Sequence, residues 1–244
     1  MTQPRFTIHS TVNDLVRDDL QRAALLESLG LDACCGGSKT LAAACAEKGL
    51  DPHAVLSRLV EGNPAAPNSP EPRPEPDGSA ASLGELVDHI ESTHHVYLKQ
   101  ELPRLKALME KVRTAHSRNH PELEGLQIAL DRLEADLLPH MMKEEKVLFP
   151  MVRKLEAGAG PQQFHCGTLK APIRVMKKEH DRAAGLLEEI RQLSQNYAVP
   201  EDGCGSFQSL MEGLKALDAD LQTHIHKEND ILFPAVLEEE KLYT

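Results

Sequence analysis

One short stretch occurs twice in the 244-residue chain. His140 opens HMMKEEKVLFPMV and His224 opens HIHKENDILFPAV, so His140 aligns with His224, Glu144 with Glu228, and Leu148-Phe149-Pro150 with Leu232-Phe233-Pro234. The offset is the same at each aligned position (140 to 224, 144 to 228), which marks an internal duplication. Upstream of the first copy, Leu126, Leu130, Leu133 and Leu137 follow the four–three alternation of a helix with one buried face. Carried forward, that alternation puts 140, 144, 147 and 151 on the same stripe. Val147 and Met151 suit it; His140 and Glu144 do not. The second copy behaves alike, with Leu210, Leu214, Leu217 and Leu221 leading to His224 and Glu228, then Ile231 or Leu232.

A carboxylate on a core-facing stripe is costly unless it is paired or coordinated. In a single copy, a buried His–Glu hydrogen bond would explain the pair as well as a metal would. Two copies on two helices of one bundle bring four such groups to one level, the arrangement of a metal cage inside a helix bundle. Within each copy the i, i+4 spacing sets imidazole and carboxylate one above the other on one face. Further ligands must come from the other two helices. The stretch 173–193 is helical by pattern, with Ile173, Met176, Ala183, Leu187 and Ile190 on one face; His180 lies on that face, with Glu179 and Asp181 beside it. The matching helix of the first half, from about Ser82 to Thr114, carries His94 and His95, and the step from 95 to 180 is within one position of the repeat offset. Leu83, Val87, Ile90 and Tyr97 favour His94 as the inward residue, because His95 lies about 100° further round an ideal helix.

The remaining composition points to an all-α protein. Aromatic residues are 3% with no Trp, and Leu, Ala, Glu and Lys dominate without runs of alternating β-branched residues. Four long helices are expected at about 82–115, 122–156, 169–196 and 206–239, broken at His120-Pro121, at Gly158-Ala159-Gly160-Pro161, and at Val199-Pro200 with Gly203 and Gly205. Short connections make sequential helices antiparallel, an up-down-up-down four-helix bundle. A net charge of −11 argues against nucleic acid or an anionic membrane as partner. The first 20 residues are polar and charged, and no apolar run approaches the ~20 residues of a membrane span, so a soluble cytoplasmic protein is expected.

Three segments are expected: a small helical domain at 1–61, a Pro-rich linker at 62–80 and the bundle at 81–244. In the first, Asp14–Ser28 reads as a helix ended by Gly30, Thr40–Lys48 as a helix ended by Gly49, and Asp51-Pro52 as the N-cap and first residue of a third. A domain of about 60 residues is marginal on its own, so pairing as a homodimer or docking on the bundle or another chain would support it. The linker holds six prolines, and at ~3.1 Å per residue it reaches up to ~60 Å. The chain has five cysteines, an odd number without C-x-x-C spacing, which is not a disulfide framework. Cys34 and Cys35 are adjacent, just before Gly36-Gly37 and a helix N-terminus, where free amides and the helix dipole lower a thiol pKa. They are the candidate catalytic thiols. Gly37-Ser38-Lys39-Thr40 lacks the spacing of a phosphate loop. Cys45 is expected to pack inside a helix, and Cys166 and Cys204 suggest no role.

With both motifs in view, the chain resembles the RIC (repair of iron centres) family of di-iron proteins over essentially its whole length. D-x-C-C-G-G-x-x-T-L, here Asp32 to Leu41, is similar to that family's N-terminal domain, and H-M-M-K-E-E-x-x-L-F-P to its hemerythrin-like bundle. The resemblance implies di-iron ligands at His95, His140, Glu144, His180, His224 and Glu228, choosing His95 where periodicity favours His94. It implies two non-haem iron ions, each with two histidines, bridged by Glu144, Glu228 and an oxo or hydroxo group. Zinc would satisfy the same atoms but brings no redox chemistry. The last helix has H-x-x-x-E where oxygen-carrying hemerythrins have H-x-x-x-x-D, which, with the paired cysteines, speaks against plain oxygen transport. The implied function is defence against nitrosative and oxidative stress by repairing damaged iron–sulfur clusters in client proteins, supplying iron to them. Cys34 and Cys35 would then receive iron, handle NO or contact the client. The alternatives are a di-iron protein that binds or reduces NO, with NO or O2 as its small ligand, and a structural bundle whose His/Glu pairs hold zinc or only hydrogen-bond.

Overall fold

The computed structural model describes residues 6–12, 14, 15, 22, 25, 26, 29–31, 39–60, 82–158, 164 and 167–243. Among them there is no strand, only an isolated antiparallel bridge between Thr11 and Thr40. The fold is all-α.

In the N-terminal part, helix α1 (Leu41–Lys48) starts where the Thr40 hydroxyl accepts from the Ala43 amide at 3.2 Å. It ends at Gly49, whose φ of 67° is left-handed backbone that glycine adopts without strain. Helix α2 (Pro52–Val60) is capped by Asp51, whose carboxylate accepts from the His53 amide at 3.0 Å. Of the expected Asp14–Ser28 helix, the described residues Asp14, Leu15, Arg22, Leu25 and Leu26 are helical. Val12, Leu15, Leu26 and Leu31 pack with Leu41, Cys45, Val55 and Leu59 as one apolar cluster. Cys45 is fully buried there, as its helical position suggested. Cys34, Cys35, Cys166 and the linker 62–80 lie outside the described residues.

The long helices follow, three of them in pieces. Helix α3 comprises Leu83–Ile90, a π-helical turn Glu91–His95 and Val96–His116; α4 comprises Glu122–Lys143, a π-turn Glu144–Leu148 and Phe149–Glu156. Helix α5 is Lys170–Leu193, and α6 comprises Gly205–His226, a π-turn Lys227–Leu232 and Phe233–Lys241. Ser82 and Glu85 open α3 with a reciprocal capping box. Contacts between helix ends establish the antiparallel order. Gly84 at the start of α3 donates to Glu156 at the end of α4, Leu169 before α5 donates to Glu240 near the end of α6, and His116 at the end of α3 meets Cys204 before α6.

Two apolar layers fill the bundle. One combines Leu98, Leu105 and Met109 of α3 with leucines of α4, α5 and α6; the other combines Val87 and Ile90 with Phe149, Leu155, Ile173 and Phe233. Each buried leucine contributes ~1.5–3 kcal/mol, so these layers hold the helices together. Between them lies one polar layer containing the buried His94, His95, His140, Glu144, His180, His224 and Glu228.

Two expectations are corrected. Helix α5 stops at Leu193 rather than near 196, because Gln195, Asn196 and Tyr197 all have positive φ (50°, 59° and 62°). That left-handed run is held by the Asn196 amide donating to the Arg191 carbonyl and the Tyr197 hydroxyl donating to buried Asp218. The inward stripe of α4 runs through Leu148, 1% exposed, and not through Val147, 42% exposed. The π-turn Glu144–Leu148 inserts one extra residue per turn and rotates everything after it by one position.

Candidate metal centre

The π-turns explain how sequence neighbours come to share the site. After each one, the backbone bond spans five residues: Val96 to Glu91, Phe149 to Glu144, Phe233 to Glu228. In α4 and α6 a proline follows directly, Pro150 and Pro234, with no amide to donate and a ring that crowds the carbonyl four residues back. A widened turn relieves that crowding. In α3 the π-turn ends on His94-His95 and turns both side chains inward, at 3% and 1% exposure. Upstream, Val87 and Ile90 keep the register that leads to His94; downstream, Leu98, Leu102, Leu105 and Met109 keep the register that leads from His95. Tyr97, expected inward, is only half-buried.

Six side chains then form two donor groups with common members. His95, Glu144, His224 and Glu228 form one; His140, Glu144, His180 and Glu228 form the other, and within each the donor atoms lie within 4.8 Å of one another. His140 Nε2 is 3.2 Å from Glu144 and His224 Nε2 is 3.2 Å from Glu228, the two i, i+4 pairs of the repeat. His180 Nε2 lies 3.0 Å from Glu228 and His95 Nε2 lies 3.5 Å from Glu144. His140 Nε2 and His180 Nε2 approach to 3.0 Å. All four carboxylate oxygens of Glu144 and Glu228 are buried without a hydrogen-bond partner, as are His95 Nε2 and His224 Nε2. Buried polar atoms are nearly always satisfied, and these orphans all point into one space. Two cations sharing both carboxylates, with two imidazoles each, would satisfy every one of them. Imidazole and carboxylate donors suit iron.

Support from behind fixes three of the imidazoles. His95 Nδ1 pairs with Glu145 at 2.8 Å, His140 Nδ1 with Glu179 at 3.0 Å and His180 Nδ1 with Asn229 at 3.0 Å, which leaves each Nε2 lone pair for a metal. Lys99 in turn holds Glu145 at 2.5 Å, and Lys143 holds Glu179. Phe149 stacks on His95 and Phe233 on His180, with centroids 5.7 and 6.0 Å apart, so the repeated Leu-Phe-Pro supplies one ring to each half. Sequence reasoning set Glu179 beside His180; the structure pairs it with His140 on the neighbouring helix. Glu145 and Asn229 were missed, although each directly follows one of the paired glutamates and the two are equivalent in the repeat.

Charge makes the layer attractive to cations. Burial disfavours an imidazolium at His140, yet Glu144, Glu228 and Glu179 raise its pKa to about 9. His95 is raised against burial in the same way, by Glu144, Glu145 and Glu228. Burial also opposes ionisation of Glu228, but His224 and His180 hold it far below the usual carboxylate range.

His94 completes the picture without joining either donor group. It stacks parallel on His224 with centroids 5.5 Å apart, while His94 Nδ1 pairs with Asp220 at 2.8 Å and His94 Nε2 lies 3.4 Å from Lys227 Nζ. His95, not His94, stands with the carboxylates.

Residues 86–236 match the model of the hemerythrin HHE cation-binding domain, and residues 8–62 match that of the ScdA_N domain, a domain of unknown function (DUF542). Proteins named iron-sulfur cluster repair protein YtfE are similar over most of the chain. That of Dickeya chrysanthemi is 38% identical over 88% of this chain and 90% of its own length. The Shigella boydii protein is 36% identical over 88% and 90%, and that of Enterobacter sp. (strain 638) is 34% identical over 93% and 96%. The chain, in which a ScdA_N match is followed by a hemerythrin HHE match, thus belongs to the iron–sulfur cluster repair family.

Proposed function

We propose that this chain is a cytoplasmic di-iron protein of nitrosative and oxidative stress defence that repairs damaged iron–sulfur clusters by supplying iron. One observation carries the proposal: two donor groups share Glu144 and Glu228, whose four buried oxygens have no hydrogen-bond partner, in a chain whose relatives are named for cluster repair. His95 and His224 would hold one iron and His140 and His180 the other, with Glu144 and Glu228 shared. When bound, the iron pair would supply redox-active metal open to NO or O2 and available for release as ferrous ion. The protein's own part is to aim the four Nε2 atoms, through Glu145, Glu179 and Asn229, and to exclude water with Phe149 and Phe233. Cys34 and Cys35 would carry iron from the bundle or contact the client, on a domain spanning 1–61 joined by the 62–80 linker, as a monomer or homodimer. Among the described residues no helix is long and apolar enough to cross a membrane.

The deciding experiment loads the protein with iron without oxygen and mixes it with a client whose [4Fe–4S] cluster has been damaged by NO. Stoichiometric loss of protein iron with recovery of the client cluster is expected, abolished in Glu144→Ala and, with iron loading intact, in the Cys34→Ser/Cys35→Ser pair. Recovery by the iron-free protein would overturn the proposal. The pair of buried carboxylates common to both donor groups also fits a centre that binds or reduces NO; steady formation of nitrous oxide by the reduced protein would favour that function instead.

A further inference from the structure

The opposite pole of the bundle gathers a second set of metal-binding side chains. From His95 to His116 helix α3 runs ~31 Å at about 1.5 Å per residue, so this pole is remote from the first site. It is built where the α3–α4 connection meets the α5–α6 connection. His116, His120 and Asp202 each place a donor atom within 4.8 Å of the other two. His116 Nε2 also lies 3.2 Å from Cys204 Sγ, and Asn119 donates to Asp202 Oδ2 at 3.3 Å. Both imidazoles rest edge-on against Phe207, with centroids 5.4 and 5.3 Å away, which restricts their rotation.

His120 makes the chemistry specific. Its Nδ1 is 2.9 Å from Glu122 and its Nε2 is 2.8 Å from Asp202 Oδ1, so each ring nitrogen faces a carboxylate. A neutral imidazole has one N–H and one lone pair, and the lone pair would then face an anionic oxygen. The arrangement needs an additional positive charge on the Asp202 side, supplied either by a second proton or by a metal. Glu122 behind His120 repeats the support that Glu145 gives His95, which fixes the tautomer for a metal at Nε2. Cys204, which suggested no role in sequence, adds a soft donor to two imidazoles and a carboxylate.

We propose that His116, His120, Asp202 and Cys204 form a second metal site, for a single zinc-like divalent cation, that staples the two connections at this pole. Two imidazoles, a thiolate and a carboxylate are the donor set of a tetrahedral zinc site. Zn–N of about 2.0–2.1 Å and Zn–S of about 2.3 Å imply donor separations of roughly 3.2–3.8 Å. The His116–Cys204 contact of 3.2 Å and the His120–Asp202 contact of 2.8 Å are already near that range. Cys204 lies outside the group of three donors that are mutually within 4.8 Å, and rotation about its own Cα–Cβ bond, with the two rings held by Phe207, is what brings its thiol in. Binding deprotonates the thiol, and the proton passes to buffer.

The test titrates Co2+, as a spectroscopic probe for zinc, into full-length protein already loaded with two irons, with Cys34→Ser and Cys35→Ser in place so that those thiols do not contribute. One further equivalent per chain is expected, with tetrahedral cobalt bands and thiolate-to-metal charge transfer, displaced by Zn2+. Cys204→Ser should erase the charge-transfer band and weaken binding, and His120→Ala should weaken it roughly 100-fold or more. His120→Gln, which keeps a hydrogen-bonding side chain, should lose the metal as His120→Ala does. Unchanged iron content shows that each variant is folded. No equivalent beyond the two irons, or a third that survives both His120 variants unchanged, would overturn the site.

Discussion

A carboxylate stands behind the imidazole of His140, and a second imidazole stands beside that of His224. Glu179 and His94 occupy corresponding places in the two halves of the repeat, as do Lys143 and Lys227. Glu179 accepts from His140 Nδ1, whereas His224 Nδ1 has no hydrogen-bond partner and His94 only stacks on it. An imidazole backed by a carboxylate is the more basic ligand, so the metal held through His224 is held less tightly. Chelator challenge of the iron-loaded protein should remove one iron per chain faster than the other. His94→Glu should slow that fast phase about 10-fold and bring the two phases together; a single phase in the wild type would refute the asymmetry. A second residue-scale prediction concerns buried Asp218. It accepts from Arg191 and Tyr197 at 2.7 Å each and from Gln222 at 2.7 Å, and against the effect of burial these partners hold its pKa low. A depressed carboxylate contributes stability above its unfolded pKa of about 3.9 and loses it as pH falls through the folded value. Asp218→Asn should therefore cost about 1–3 kcal/mol at neutral pH in denaturant titrations, and the difference from wild type should shrink below about pH 4.

Helices α3 and α6 approach closely because residue 213 has no side chain. A Cβ there would lie 2.5 Å from Leu105 Cδ2 and 2.8 Å from Arg104 Nη2. Alanine normally gains ~1 kcal/mol over glycine inside a helix. Here the overlap with a core leucine outweighs that gain, and Gly213→Ala should lower stability by about 1–2 kcal/mol, read as a fall in Tm. The helices themselves were legible in sequence: the leucines at 126, 130, 133 and 137 and their repeats leave little choice, and the breaks fall at the prolines and glycines. The π-turns were not anticipated. A four–three alternation assumes a constant turn, so it carried the upstream register across each extra residue and selected His94 and Val147. Pro150 and Pro234 signal two of the three turns, since a missing amide must be accommodated nearby. Nothing comparable marks Glu91–His95, where only the His94-His95 pair hints that one turn must present two neighbours inward. The left-handed run Gln195–Tyr197 was equally hidden, because no glycine announces it and its partner, Asp218, lies on another helix.

At the scale of the whole molecule, the polar layer divides an otherwise apolar core, and its cost must be met by what it binds. Removing metal from the loaded protein should lower Tm by several degrees while leaving helical circular dichroism near its native value at room temperature, because the two apolar layers remain. An unchanged Tm after complete removal would show that the layer is stable without metal. The sequence by itself determined that the chain is a helical bundle with four His/Glu groups on inward stripes, since a duplicated motif at helical spacing admits few other structures. It also pointed to His180 and to one of two adjacent histidines. Tertiary structure decided which of the two stands with the carboxylates, which side chain supports which imidazole, and that His116, His120, Asp202 and Cys204 meet at the far pole. Those contacts join residues far apart in sequence, such as His140 with Glu179 and His94 with Asp220, on different helices. Periodicity within one helix reports which face is inward, but not which residues from its neighbours will be found there.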